Sequence, residues 1–236
     1  MPEISVLMIT LNEENAIEKV ILDIQKATAG RDVEIVVVDS SKDRTPQIAE
    51  RLGARVVRQF PPQGYGRAME RALGEARGAV AVTLDCDDTY PAEQILPIAD
   101  HVLRGEADLV NASRLGHKPD AMPWPNYIAN YAFCVLARVL VGVKTTDLHS
   151  GMRAYSKPLL DRLTFDGSGP ALPVELMLKP VMLGFKVTEV FIEYNDRVGT
   201  STLRKWSSTL WTLKRILRCV PMRFGAVPGQ VNTRRT

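Results

Sequence analysis

The chain has 236 residues, 45% of them hydrophobic, enough to bury a substantial core in one large domain or two small ones, and its composition does not point to disorder. Its three cysteines, Cys86, Cys134 and Cys219, are far apart, odd in number and without metal-ligand spacing, which argues against a disulfide framework and for a reducing compartment. The net charge of +3 conceals a division: from Arg197 onward there are nine basic and no acidic residues, so the first 196 carry 21 basic against 27 acidic, a net of −6. An acidic body with a basic tail implies an anionic partner for the tail: a membrane surface, nucleic acid or phosphates.

Along the first half, Ile4 to Thr10, Val33 to Asp39 and Ala79 to Asp85 are short, β-branched, apolar runs ending in polar residues, the pattern of buried parallel strands. Between the first two, Ile17, Val20, Ile21 and Ile24 follow the i, i+3, i+4, i+7 stripe of a helix, and Thr10 to Glu13 fits a capping box ahead of it. Thr45 reads as the next N-cap with Pro46 at the first helical position, and Ile48, Ala49 and Leu52 on the buried side. A strand over Ala54 to Arg58, the loop Gln59 to Tyr65 and a helix over Gly66 to Ala76 lead to the third long strand. This alternation predicts an α/β fold with a doubly wound, mostly parallel central sheet flanked by helices. In such sheets ligands gather at the carboxyl ends of the strands, where the strand order reverses. Thr10-Leu11-Asn12-Glu13, Asp39-Ser40-Ser41 and Asp85-Cys86-Asp87 all stand at such ends.

The second half is less regular. Leu109 to Ala112 reads as a strand leading to Ser113-Arg114, Leu115 to Pro125 as a loop, and residues 126–143 as an apolar helical stretch. Thr145 to Tyr155 contains Asp147-Leu148-His149-Ser150-Gly151-Met152-Arg153. A Gly/Pro-rich loop from Asp166 to Pro173 precedes a helix near Val174 to Leu183 and a strand over Lys186 to Tyr194. Leu203, Trp206, Leu210, Leu213, Leu217 and Val220 then form a helical apolar stripe, with Arg204, Lys205, Lys214, Arg215 and Arg218 on the remaining faces. Such a helix either lies in a lipid interface or packs on its own domain or a second subunit, the latter leaving room for a homo-oligomer. The expected organisation is an α/β domain over 1–202, an amphipathic helix over 203–220 and a basic tail over 221–236. No stretch reaches the ~20 apolar residues that span a bilayer, and the start Met-Pro-Glu-Ile-Ser lacks a signal-peptide pattern, so a cytoplasmic location is expected.

The most informative segment is Leu84-Asp85-Cys86-Asp87-Asp88-Thr89-Tyr90-Pro91, where an apolar strand runs into three carboxylates. Like charges this close must be neutralised, and a Mg²⁺ or Mn²⁺ held by one or two carboxylates completes its shell with water and substrate phosphates. The alternative is an acidic solvated turn. His101, His117 and His149 are unclustered and are assigned no metal.

Several motifs in order extend this reading. They are Ile9-Thr10-Leu11-Asn12-Glu13-Glu14, Val36 through Thr45, Gly64-Tyr65-Gly66 with Ala68, Leu84 through Glu93, Ala112-Ser113-Arg114, Asp147 through Arg153, and Glu189 with Arg197-Val198-Gly199-Thr200-Ser201. From Ile4 to Leu217 the chain resembles a family 2 glycosyltransferase of the GT-A fold, a Rossmann-like nucleotide-diphospho-sugar transferase architecture, in the branch of polyprenyl-phosphate sugar synthases such as dolichyl-phosphate mannose synthase. The resemblance implies a metal-dependent, inverting glycosyltransferase. It would move a hexose from GDP-mannose or a UDP-hexose to a polyprenyl phosphate, as a peripheral protein at the cytoplasmic face of the cell membrane. It further implies that the nucleoside lies across Thr10, Leu11, Glu13 and Asp39, that Gly66 lets the donor approach, and that Asp85 and Asp87 bind the metal or the ribose and diphosphate. Arg114 and Arg197 would be phosphate ligands, and Asp147 a catalytic-pocket or sugar-orienting carboxylate.

The residues' own readings stay open beside these. Asp39 also suits a helix N-terminus, Gly66 a plain turn, Asp147 a turn cap, and Arg114 or Arg197 an ion pair with a carboxylate. Ser40, Thr89 and Thr202 depart from the usual family residues, which bears on the identity of base and sugar. Competing functions are transfer to a soluble small-molecule acceptor and non-catalytic nucleotide-sugar binding. A nucleotidyltransferase would open its first strand into a Gly-rich loop, which Thr10 to Glu13 is not, and nucleic-acid binding lacks interleaved aromatic residues.

Overall fold

The computed structural model describes residues 1–120, 122–195 and 205–224. Seven strands form one sheet: β1 (Ile4–Thr10), β2 (Val33–Asp39), β3 (Arg55–Arg58), β4 (Val80–Thr83), β5 (Leu109–Ser113), β6 (Arg153–Ser156) and β7 (Val187–Phe191), in the order β3-β2-β1-β4-β6-β5-β7. All neighbours are parallel except β6, which runs antiparallel to both β4 and β5. The chain winds outward from β1 through β2 to β3, then crosses to β4 on the other side of β1. The strand order therefore reverses beside β1, the place where such sheets bind ligands at their carboxyl ends.

Both faces of the sheet are buried, which is why its first two strands read as unbroken apolar runs. Alternate residues Ile4, Val6, Met8, Ile35 and Val37 join one core with α1 (Ile17–Ala27), α2 (Thr45–Arg51) and α4 (Ile95–Leu103). Leu7, Val36 and Val38 face the other core, built with α3 (Tyr65–Glu75), α5 (Trp124–Val141), α6 (Lys157–Arg162), α7 (Leu172–Met182) and α8 (Lys205–Cys219).

Several sequence expectations are corrected. The acidic strand leaves the ladder at Thr83, so Leu84 and Asp85 belong to the loop beyond it. The capping box does not form: α1 starts at Ile17 behind Ala16, without a side-chain cap, because the Thr10 hydroxyl donates to Asp39 and the Glu13 amide to Thr45. Arg44, not Thr45, occupies the N-cap of α2. The strand β6 and the helices α4 and α6 were not expected. Arg215, predicted on an outer cationic face of α8, is fully buried and pairs with Glu175. The helix packs through Thr212, Arg215, Ile216 and Cys219, while Leu210, Leu213 and Leu217 of the predicted stripe stay exposed. Leu203 and the side chain of Trp206 lie outside the described residues.

Gly66 sits in the first turn of α3, where a Cβ would stand 2.5 Å from the Gly169 carbonyl oxygen and as close to that of Gly167. The close approach it permits is to the chain's own Gly-rich loop. Backbone atoms cannot yield as a flexible side chain can, so Gly66→Ala is expected to destabilise the fold by about 1–3 kcal/mol, measured as a lower urea midpoint at unchanged slope.

Candidate active site

The first corner of the site is set by strand register. Thr10 lies opposite Asp39 and Asp39 opposite Arg58, so three carboxyl ends stand level. The Thr10 hydroxyl donates to Asp39 Oδ1 at 2.7 Å and the Ser41 amide to Oδ2 at 3.1 Å. Arg58 pairs with Asp39 and also donates to the Ser41 carbonyl at 2.8 Å. Asp39 is fully buried, whereas the Arg58 side chain is 44% exposed. The loops after β1 and β2 are laced together. The Asn12 amide donates to Ser41 Oγ at 2.7 Å, the Lys42 amide to Asn12 Oδ1 at 2.9 Å, and the Glu13 amide to Thr45 Oγ1 at 2.9 Å. Asn12 adopts the left-handed region at φ 61°, which an Asn tolerates. Burial pushes the Asp43 carboxyl up, but the Thr45 hydroxyl and amide and the Glu14 amide outweigh it and hold the group below its ordinary range. The Ser40 hydroxyl donates to the Gln59 carbonyl at 2.8 Å and ties the end of β3 to β2.

The second corner is the acidic loop. Asp87 is buried, and the Thr89 hydroxyl donates to its Oδ1 at 2.6 Å. Asp88, at φ 64°, turns the other way and pairs with Lys19 at 2.7 Å. Asp85 lies against Gly151, where a Cβ would stand 2.6 Å from its Oδ2, so a larger residue there would displace this carboxylate. The Gly151 amide donates to the Tyr90 hydroxyl at 2.7 Å and its carbonyl accepts from Thr83 at 2.8 Å. Among the described residues no cluster of three or more His, Cys, Asp or Glu side chains is arranged to hold a metal. Two carboxylates with a glycine cradle suit a hard divalent ion that takes its remaining oxygens from water and a diphosphate, not a self-sufficient protein cage.

The third corner is an ion pair. Arg114, just past β5, grips Asp147 with both forks, Nε to Oδ2 at 2.7 Å and Nη2 to Oδ1 at 2.9 Å. Asn130 of α5 donates to Asp147 Oδ1 at 3.0 Å, as does the His149 amide at 3.0 Å. Burial alone would push the Asp147 carboxyl up; the Arg114 guanidinium overrides it and holds the group well below the usual carboxylate range. Arg114 stacks on the Tyr194 ring at 5.1 Å, which packs edge-on against Tyr90. The imidazole of His149 lies between Asn130 and Thr212, and burial pushes its pKa down to about 4, with Asp147 offsetting only part of the shift.

The structure thus brings Thr10, Glu13, Asp39, Asp85, Asp87, Arg114 and Asp147 to the carboxyl-end side of the sheet, with Leu11 partly exposed at its rim. Of the two readings for Arg114, the carboxylate partner is the one present. Arg197 lies outside the described residues. Glu175, at the start of α7, is engaged by Arg215 and Lys179. Sequence reasoning passed over Arg58, Asn130 and Tyr90. Asn130 is one of several polar residues in α5, beside Asn126 and Arg138, so nothing in the sequence singled it out, and the other two carried no signal either.

Residues 5–164 match the glycosyl transferase family 2 pattern. The chain is 42% identical over 201 residues to a dolichyl-phosphate hexose transferase of Haloferax volcanii, covering 85% of this chain and 86% of that one. It is 28% identical to a dolichol-phosphate mannosyltransferase of Pyrococcus furiosus, covering 92% of this chain and 63% of that one. Among solved structures, glucosyl-3-phosphoglycerate synthase from Mycobacterium tuberculosis, in complex with Mn²⁺, UDP and phosphoglyceric acid, superposes with a TM-score of 0.70 at 25% identity, over 96% of this chain and 80% of that one. Mannosyl-3-phosphoglycerate synthase from Rubrobacter xylanophilus shares the fold, with a TM-score of 0.74 at 20% identity over 100% and 79% of the two chains.

The depressed His149 pKa has a consequence for stability. Between the ordinary histidine pKa of about 6.5 and about 4 in the fold, the unfolded chain binds a proton that the native state does not. Stability is therefore expected to fall as pH drops through that window. His149→Gln is expected to flatten the slope there, leaving the Asp147 contribution, lost only at lower pH. Denaturant titrations from pH 7 to 4 measure it.

Proposed function

We propose that this chain, which belongs to glycosyl transferase family 2, transfers a hexose with inversion from a nucleotide sugar to a polyprenyl phosphate. The observation that carries the reading is the convergence of a laced nucleoside corner, two carboxylates and a guanidinium on one crevice. The relatives named above support a lipid-phosphate acceptor. In the reaction an acceptor phosphate oxygen attacks the anomeric carbon, the bond from that carbon to the diphosphate oxygen breaks, and the nucleoside diphosphate departs with the electron pair. One displacement inverts the centre. The acceptor oxygen is already ionised at neutral pH, so positioning outweighs base catalysis.

Thr10, Leu11, Glu13 and Asp39, with Arg58 beside them, hold the nucleoside end. Asp147 orients Arg114 toward phosphate oxygens, with Arg197 as a second cation. Asp85 and Asp87 would hold a Mg²⁺ or Mn²⁺, which would supply positive charge as the diphosphate leaves.

At the acceptor side, α5 exposes Trp124, Ile128, Tyr131, Val135 and Val139, and α8 exposes Leu210, Leu213 and Leu217. No helix among the described residues is long and apolar enough to cross a membrane. Exposed apolar side chains on two packed helices, followed by a basic segment, suit a peripheral seat on anionic lipid at the cytoplasmic face. A second reading replaces the lipid with a small phosphorylated acceptor, favoured by the phosphoglyceric acid in the M. tuberculosis structure.

Radiolabelled GDP- and UDP-hexoses offered with dolichyl phosphate in anionic vesicles, or with 3-phosphoglycerate, separate the two: label is expected in the lipid phase, and label only in phosphoglycerate would overturn the lipid reading. In the same preparation, Mn²⁺ with the active donor is expected to raise the melting temperature of the native chain. Asp87→Ala is expected to remove that metal-dependent rise while unfolding stays cooperative.

A further inference from the structure

A chain of hydrogen bonds leads from α8 into the ion pair. Asn130 Nδ2 donates to Asp147 Oδ1 at 3.0 Å, which fixes the amide's orientation and turns its Oδ1 toward His149. The His149 Nδ1 nitrogen, 3.3 Å from that oxygen, must then carry the ring proton. Nε2 is left as an acceptor, 2.8 Å from the Thr212 hydroxyl. Every donor in the series points the same way: Thr212 to His149, His149 to Asn130, Asn130 to Asp147.

Each link lies on a different element. Thr212 is buried on α8, Asn130 is buried on α5, and His149 and Asp147 share the loop before β6. A buried Thr in a helix commonly bonds back to its own preceding turn; here the hydroxyl reaches across to another element. Apolar side chains would fill the junction of these helices without the desolvation that polar groups incur. The face of α8 opposite this contact carries the exposed leucines.

We infer that Thr212 and His149 are positioning residues for the Asp147–Arg114 pair, coupling the acceptor-side helix α8 to the guanidinium that meets phosphate. The inference rests on the transferase reading above and names residues beyond it. Through it, the seating of α8 against an acceptor surface sets the aim of Arg114. A shift of α8 moves the Thr212 hydroxyl, the imidazole follows, and the carboxylate loses one of the bonds that fix its plane.

The test is a comparison of Thr212→Val and Thr212→Ser with the unaltered full chain, each assayed with nucleotide sugar and dolichyl phosphate in vesicles. Thr212→Val keeps the shape and removes the hydroxyl. It is expected to lower kcat at least about tenfold, within the on-the-order-of-hundredfold loss that an ångström of misplacement produces. The donor KM should stay near that of the unaltered chain, the melting temperature should fall by only a few degrees as His149 Nε2 loses its donor, and Thr212→Ser should recover most of kcat. Unchanged kcat in Thr212→Val, a loss confined to donor KM, or equal losses in both variants would overturn the inference. Nitrogen NMR of the imidazole gives a readout independent of turnover. A neutral His149 with its proton on Nδ1, and an Nε2 resonance that moves in Thr212→Val, are expected; a proton on Nε2 overturns the relay. If the unaltered chain transfers hexose to no acceptor, the functional reading fails while the NMR result still decides the relay.

Discussion

The bidentate pair between Arg114 and Asp147 is the constraint around which the second half of the molecule is arranged. Their side chains are 11% and 0% exposed, so both charges have left water, at an effective penalty of several kcal/mol per ion. Such a pair survives only with full geometry. The fork-to-fork contact, the Asn130 amide and the His149 backbone N–H supply it, and together they pin the end of β5, the loop before β6 and helix α5 to one point. Arg153 repeats the device beneath. Buried on β6, it donates to Asn111 Oδ1 at 2.7 Å and to the carbonyls of Leu148 and Pro173. Two guanidinium groups thus do at this end of the sheet what aliphatic packing does at the other.

The nucleoside half follows a different logic. There the ladder itself delivers Thr10, Asp39 and Arg58 to one level, and backbone amides of the two loops find side-chain acceptors across the crevice. Gly151 joins the halves. It accepts from Thr83 at the end of β4, donates to Tyr90, and leaves the space that the Asp85 carboxylate fills. Of the three acids in the loop, Asp88 is drawn aside by Lys19, whereas Asp87 is buried against Thr89 and Asp85 lies against Gly151. In the proposed transfer this separation of charge has a use: the carboxylates would draw a cation and the guanidinium would meet phosphate oxygens.

How far the sequence anticipates this depends on what holds each element. Strands β1 and β2 were legible because burial on both faces demands apolar β-branched runs, and the acidic loop because closely spaced carboxylates after such a run are rare without a reason. Strand β6 was not legible, since Arg153 and Ser156 satisfy a polar network and break any apolar pattern. The stripe of α8 was read correctly as apolar, but its inward face was not. Burial of Arg215 against Glu175 and the loop carbonyls of Asp166 and Ser168 is a tertiary choice that helical periodicity cannot encode. Gly66 was assigned to a donor because a glycine announces a close approach without naming what approaches. Arg114 was legible as a cation of the site, yet its partner Asp147, 33 residues away, was separately assigned to the same pocket without being linked to it.

The account stands on Arg114 and Asp147 acting as one unit in transfer. A double-mutant cycle of Arg114→Gln and Asp147→Asn, read as kcat/KM for hexose transfer to dolichyl phosphate, tests this most directly. The expected result is a large loss in each single variant and no further loss in the double. Losses that simply multiply, or an Asp147→Asn variant that transfers at the original rate, would contradict it.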